Sequence, residues 1–224
     1  ALKQSGYKTG YIGKWHLGNS PVTSPAAQGY DVAVEINGPH YEGRYRSKHP
    51  DFQPRPGQYR TDFEADVASE FIRASADQPF FLMVSPFAVH IPLGAMSEKV
   101  EKYRRKAGDD PDNHLPHPIY AAMIEHVDDM VGRIMRQVKA SGIDDETVVV
   151  FTSDNGGLYR RYDYRPAADR TVSGAGGFVE PTPTLPPPGE MIAVLMPTSR
   201  PSSVTSAPPE LPGLIEASVW MKSS

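Results

Sequence analysis

The chain has 224 residues and a formal net charge of −4, from 23 basic and 27 acidic side chains, with 39% hydrophobic residues, 23 prolines and no cysteine. The length supports one ordinary domain with a real core. The mild, mixed charge argues against a nucleic-acid partner, whose footprint would be basic. No apolar run reaches 18 residues, so no membrane span is expected. The lack of cysteine excludes a disulfide framework, thiolate zinc ligands and a nucleophile made from cysteine within the chain.

The elements follow in chain order. Ala1 to Gly6 reads as the last turn of a helix closed by Gly6, so further N-terminal sequence is expected upstream of Ala1. Thr9–Trp15 and Tyr30–Ile36 read as extended. Asn37 to Gln58, rich in Gly, Pro, Tyr and Arg, reads as a long surface loop of the kind that often carries function. Thr61 is expected to cap a helix running to about Ala74, with Phe63, Val67 and Phe71 on one face. After Pro79, Phe80–Val84 is apolar on both faces, as in a central strand of a covered sheet. A short charged helix is expected over Ser97–Lys106. A long helix is expected from Pro118 to Ser141, with the apolar stripe Ile119, Met123, Val127, Met130, Ile134 and Val138. Thr147–Thr152 reads as the next buried strand. This alternation predicts an α/β layered sheet, whose ligands sit at the carboxyl ends of the strands.

The C-terminal quarter differs. Residues 171–224 hold 6 of the chain's 50 charged residues, and ten prolines lie between Pro181 and Pro212. Only Met191–Met196 and Leu214–Met221 could form short elements. Such a segment cannot bury enough apolar surface to offset its ordering entropy. It reads as a flexible tail or as sequence foreign to the parent fold, for example after a frame shift.

Three polar clusters fall where strands should end. In Gly13-Lys14-Trp15-His16-Leu17-Gly18, Lys14 and His16 are two apart and would share a face in extended backbone. A fixed cation beside an imidazole suits a sulfate or phosphate, although a surface lysine and a packed histidine would read the same. His90, six residues past Val84, is a candidate general acid or anion ligand; a lone loop histidine is also often incidental. Ser153-Asp154-Asn155-Gly156-Gly157 offers hard oxygen donors that suit Ca²⁺ or Mg²⁺, or simply forms a turn. Glu125, Asp128 and Asp129 are further oxygen donors, although their spacing fits a solvated helix face.

In combination and in this order, the clusters resemble the type I sulfatases. Gly6 through Gly18 is similar to the family's second signature, Phe80–Leu93 to its strand ending in a site His-x-Pro, and Tyr120–Gly157 to its unit ending in Ser-Asp-Asn-Gly-Gly. The resemblance covers about residues 1–165. It implies an alkaline-phosphatase-like α/β sandwich with a mostly parallel central sheet, incomplete at its N-terminus. It implies a partial sulfatase catalytic domain over 1–170 and a Pro-rich tail over 171–224.

The resemblance further implies that Lys14 binds a sulfate oxygen. His16 would contact a formylglycine hydrate nucleophile, and His90 would contact sulfate near the leaving oxygen. Asp154 and Asn155 would be two Ca²⁺ ligands. The substrate would be an aryl or carbohydrate sulfate ester, and the compartment periplasmic, secreted or lysosomal in type. The family's formylglycine motif and paired metal-binding aspartates would lie before Ala1, so this chain alone is expected to be inactive, with exposed sheet edges that favour aggregation. Met196-Pro197-Thr198-Ser199-Arg200 only superficially echoes the formylglycine motif, and nothing after Arg170 matches the family's later site lysine. A phosphodiesterase or phosphonate hydrolase of the same superfamily, and a non-catalytic binder of cations or sulfated glycans, remain alternatives. Tyr41, Arg44, Tyr45, Arg46, His49, Arg55 and Tyr59 crowd the long loop, as a sugar or aryl pocket or as a solvated surface.

Overall fold

The fold was established from a computed structural model, which describes residues 1–41, 44–107, 118–153 and, for the backbone, 191–197. A 3₁₀ turn at Lys3–Ser5 closes on Gly6, whose φ of 83° gives the left-handed cap expected there. The strands are β1 (Lys8–Gly13), β2 (Val32–Asn37), β3 (Arg46–Ser47), β4 (Phe80–Ser85), β5 (Thr147–Ser153) and β6 (Met191–Pro197). The helices are α1 (Arg60–Ser75), α2 (Ser97–Ala107) and α3 (Pro118–Ala140).

The strands form one sheet in the order β3-β2-β1-β4-β6-β5. β1 pairs parallel with both β2 and β4. β6 runs antiparallel to β4 and to β5, so β5 points the same way as β1, β2 and β4. The carboxyl ends of four strands therefore share one edge. This is the mostly parallel α/β sheet expected from the sequence. The two-residue β3, inside the long loop, was not foreseen. β6 falls on Met191–Met196, one of the two short elements allowed in the C-terminal quarter; Leu214–Met221 lies outside the described residues.

Alternation along the strands sorts the core. Ile12, Val34, Ile36, Phe80, Leu82 and Val84 are wholly buried. Gly10 shares their face, and a Cβ there would come within 2.6 Å of the Phe71 ring of α1, so α1 lies directly on the sheet. Phe63, Val67 and Phe71 all point into this layer and are buried; each contributes about 1.5–3 kcal/mol by leaving water. The whole predicted stripe of α3 is buried, with α3 packed against α1 and α2. On the opposite face, Tyr11 packs against Trp15 and Tyr30, with ring centroids 4.8 and 5.3 Å away.

Three local expectations are corrected. β5 lies at the end of the strand order and is not buried, with Val148 and Phe151 exposed. α1 begins at Arg60, capped by the extended backbone of Tyr59 without a side-chain hydrogen bond. Thr61 is therefore inside the first turn, and its hydroxyl is buried without a hydrogen-bond partner. The reason lies in Arg60, whose side chain is held in the core by Glu64 and the Ile36 and Gly38 carbonyls, so that the helix starts two residues early. In addition, β1 stops at Gly13, so Lys14 and His16 do not share the face of an extended strand: His16 has φ +54°.

Candidate functional site

The site is assembled at the carboxyl edge from the segments that follow β1, β2 and β4. After β1, Gly13 adopts φ +123°, and a Cβ there would lie 1.9 Å from the Ser85 carbonyl oxygen. Only glycine satisfies both conditions. The next N–H, that of Lys14, donates to the same carbonyl at 2.8 Å, while the Tyr11 hydroxyl donates to the Lys14 carbonyl. The Trp15 indole N–H donates to the Thr23 carbonyl at 2.6 Å. The Lys14 backbone is thus fixed from both sides. His16 is exposed and sits in the left-handed region, an uncommon conformation for a non-glycine residue and one that concentrates at functional sites.

After β4, the segment Pro86–Pro92 carries Phe87 and His90. The Lys14 ammonium lies over the Phe87 ring, 5.3 Å from its centroid. The His90 ring is 4.8 Å from the same ring, and its Nδ1 is 2.5 Å from the Ile91 carbonyl. Lys14 and His90, far apart in sequence, are therefore brought together on one aromatic ring. His16, two residues beyond Lys14, is exposed and makes no ring contact with Phe87 or His90 among those observed.

After β2 comes His40, which sequence reasoning missed. It is wholly buried, with Nε2 3.0 Å from the His90 carbonyl oxygen. Burial, helped by the Arg60 charge, pushes its pKa down to about 3, outweighing the hydrogen bonds to the His90 and Pro92 backbone, so the ring is neutral at working pH. The signal was available: His40 follows a strand at the carboxyl edge, the same criterion that singled out His90. Arg60 anchors this corner from α1. It donates to Glu64 at 2.8 Å, to the Ile36 carbonyl at 2.9 Å and to the Gly38 carbonyl. Its guanidinium lies 5.0 Å from the Phe87 centroid.

The crowded loop divides by role. Tyr45 and Tyr59 are buried, and their hydroxyls donate to the carbonyls of Gln58 and Gly94. Arg55 pairs with Asp66 at 2.7 Å. Tyr45 and Tyr59 are therefore part of the core, whereas Arg55 forms a surface ion pair; Arg44 and Arg46 are exposed.

Asp154 and Asn155 lie outside the described residues. β5 ends just before them, at Ser153, on the same edge as Gly13 and Ser85. No group of three His, Cys, Asp or Glu side chains among the described residues could hold a metal ion. Glu125 and Asp129 instead receive Lys99, and Glu125 also Lys102, which makes them a surface ion-pair face between α2 and α3. The described residues thus do not complete an oxygen shell for Ca²⁺, which takes six to eight oxygens.

A mostly parallel sheet with a lysine and histidines at its carboxyl edge, where such folds bind their ligands, places the chain among the α/β proteins. The comparisons narrow this class. The sulfatase family model matches residues 1–181, past the end of the resemblance read from motifs. The chain belongs to the sulfatase family.

It is 30% identical over 178 residues to the N-acetylgalactosamine-6-sulfatase of Rattus norvegicus, covering 69% of this chain and 31% of that protein. It is 26% identical over 213 residues to an arylsulfatase of Klebsiella aerogenes, covering 69% and 46%. An ulvan-active sulfatase of Formosa agariphila is 24% identical over 190 residues, covering 74% and 36%. The chain thus spans between about a third and just under half of these relatives. The crystal structure of Ps i-CgsB aligns with a TM-score of 0.58 at 22% identity, covering 88% of this chain and 46% of that one, a likeness of fold. No helix among the described residues is long and apolar enough to cross a membrane.

Proposed function

We propose that this chain forms part of a sulfuric ester hydrolase, that Lys14 and His90 hold the sulfate and that His16 faces the nucleophile. The observation that carries the reading is the meeting of Lys14 and His90 on the Phe87 ring, at the carboxyl edge of a sulfatase-family sheet. Sulfate ester cleavage spreads negative charge over oxygens, and fixed cations and N–H donors aimed at those oxygens lower the barrier. Lys14 supplies the cation. Its backbone is pinned at both ends, so little reorganisation accompanies reaction. In this reading His90 donates a proton to the departing alcohol oxygen. His16, held in strained backbone, presents its ring on the Lys14 turn to the attacking group. No covalent step is assigned to a residue of this chain.

Asp154 and Asn155 are proposed as two hard oxygen donors to Ca²⁺, in keeping with their chemistry and with the strand edge that precedes them. Bound there, the ion would supply Lewis-acid stabilisation of a sulfate oxygen. A carbohydrate sulfate is the proposed substrate. The names of the N-acetylgalactosamine-6-sulfatase and ulvan-active relatives support this class, as do the exposed cations Arg44 and Arg46 beyond the site.

The test compares hydrolysis of matched sulfate and phosphate esters, carbohydrate and aryl, by the full-length protein. Preferential release of sulfate is expected. Preferential phosphate release would move the chain to the phosphohydrolase reading, and turnover of neither would remove the enzymatic reading.

A further inference from the structure

We propose that His40 is a positioning residue: it sets the place of His90 by donating a hydrogen bond from Nε2 to the His90 main-chain carbonyl and by packing on the shared Phe87 ring. The inference rests on the reading of His90 as part of the sulfate site.

Three observations lead to it. First, the donor is unambiguous. A carbonyl oxygen only accepts, so the proton of a neutral imidazole must be on Nε2, 3.0 Å from His90 O. That leaves Nδ1 as a bare acceptor, buried without a hydrogen-bond partner. An unsatisfied buried acceptor is costly, and an apolar side chain of similar volume would avoid that cost. What such a side chain could not supply is the bond to His90.

Second, the ring cannot swing away. His40 stacks on Tyr59 at 5.9 Å with planes 16° apart, and Tyr59 stacks on His126 at 4.0 Å and 24°. The Tyr59 hydroxyl in turn donates to the Gly94 carbonyl at 2.7 Å, and a Cβ at Gly94 would meet the Tyr41 hydroxyl at 1.9 Å. The segment from His90 to Gly94 is therefore clamped at both ends by residues of the long loop.

Third, Phe87 ties this clamp to the charged groups. Its ring centroid lies 5.0 Å from the His40 ring and 4.8 Å from that of His90, and within 5.3 Å of Lys14 Nζ. A shift of His40 moves the backbone of one site residue and the platform beneath another.

The test uses the full-length protein with His40→Met, which removes the donor at similar volume, and His40→Gln, which restores an N–H donor. Two readouts are taken: the His90 ring signals and their pH titration by NMR, and kcat and KM for a sulfate ester. In His40→Met, the His90 signals are expected to move and kcat to fall about 100-fold with KM within about twofold, the signature of a misplaced rather than a missing contact. In His40→Gln, the signals are expected to return toward wild type and kcat to within about tenfold of it.

A folded His40→Met with unchanged His90 signals overturns the proposal. So does a folded His40→Gln that is displaced as far as a folded His40→Met, or that loses about 100-fold in kcat if His40→Met does not fold. If the wild-type protein turns over no sulfate ester, the functional reading fails, while the NMR comparison still decides the positioning role.

Discussion

Gly13 and Ser85 approach so closely that a side chain at Gly13 would start 1.9 Å from the Ser85 carbonyl oxygen. That contact joins the ends of β1 and β4, and the following N–H, that of Lys14, is bonded to the same oxygen. The close approach is what places the Lys14 cation above the loop that bears His90. Gly13→Ala should therefore cost roughly 3 kcal/mol or more, because both the positive φ and the contact are lost to any L side chain. Urea denaturation measures it; a loss below about 0.5 kcal/mol, the scale of a neutral surface change, would contradict the geometry.

Arg60 and Glu64 form an ion pair with side chains 1% and 0% exposed. Removing one partner leaves an uncompensated buried charge, so Arg60→Met should destabilise by about 3–5 kcal/mol. The double variant Arg60→Met with Glu64→Leu should recover much of that. Recovery is expected to be incomplete, because Arg60 also holds the carbonyls of Ile36 and Gly38. A double-mutant cycle by chemical denaturation checks it, and an additive result would show that the two are not coupled.

His40 and His126 give the fold a pH dependence. Burial lowers their pKa values from 6.5 to about 3 and about 4 respectively, assisted at His126 by Lys99. Below about pH 6.5 the unfolded chain takes up protons that the folded chain refuses, so stability is full above that pH and falls as the pH drops toward 4. The slope is about 1.4 kcal/mol per pH unit for each histidine. Unfolding measured at pH 7.5 and pH 5 should show the loss, and His126→Phe should reduce it. A flat profile over this window would contradict the buried neutral state. The carboxylates Asp31 and Glu125 titrate lower, near 2, and do not contribute in that window.

Asp154→Ala should weaken Ca²⁺ binding by the full-length protein at least about tenfold, since the affinity of such sites follows the number and charge of their oxygen ligands. Calorimetry with CaCl₂ reads this without any substrate. Equal affinity of the variant and the parent would remove Asp154 from the ligand set.

Legibility in the sequence followed the length of the pattern. α3 could be read in full because six apolar positions at spacings of three and four leave one face to bury, and all six are buried. β4 was bounded to within a residue by Pro79 and an apolar run. Shorter signals failed. The start of α1 is set by Arg60 reaching Glu64 and two distant carbonyls, which is a tertiary effect that no capping residue announces. The Lys14–His16 turn looks extended in sequence because the positive φ of His16 has no glycine to mark it. β3 has two residues and pairs only because β2 offers it an edge.

The site was legible in Lys14 and His90, which sit beside recognisable strand ends, and His40 follows β2 in the same way. Phe87 and Arg60 were not legible: they act through packing between segments more than 20 residues apart, and a single sequence carries no spacing signal for such contacts. Tyr45 and Tyr59 illustrate the converse: aromatic residues in a polar loop that prove to be core.

The most direct measurement of the central claim is kcat/KM for an aryl sulfate ester with the full-length protein and its Lys14→Ala variant at equal thermal stability. Loss of a preorganised cation facing the developing charge predicts a fall of about 100-fold or more, carried mainly by kcat. An unchanged kcat/KM in the folded variant would contradict the assignment of Lys14, and with it the sulfate site built on the Phe87 ring.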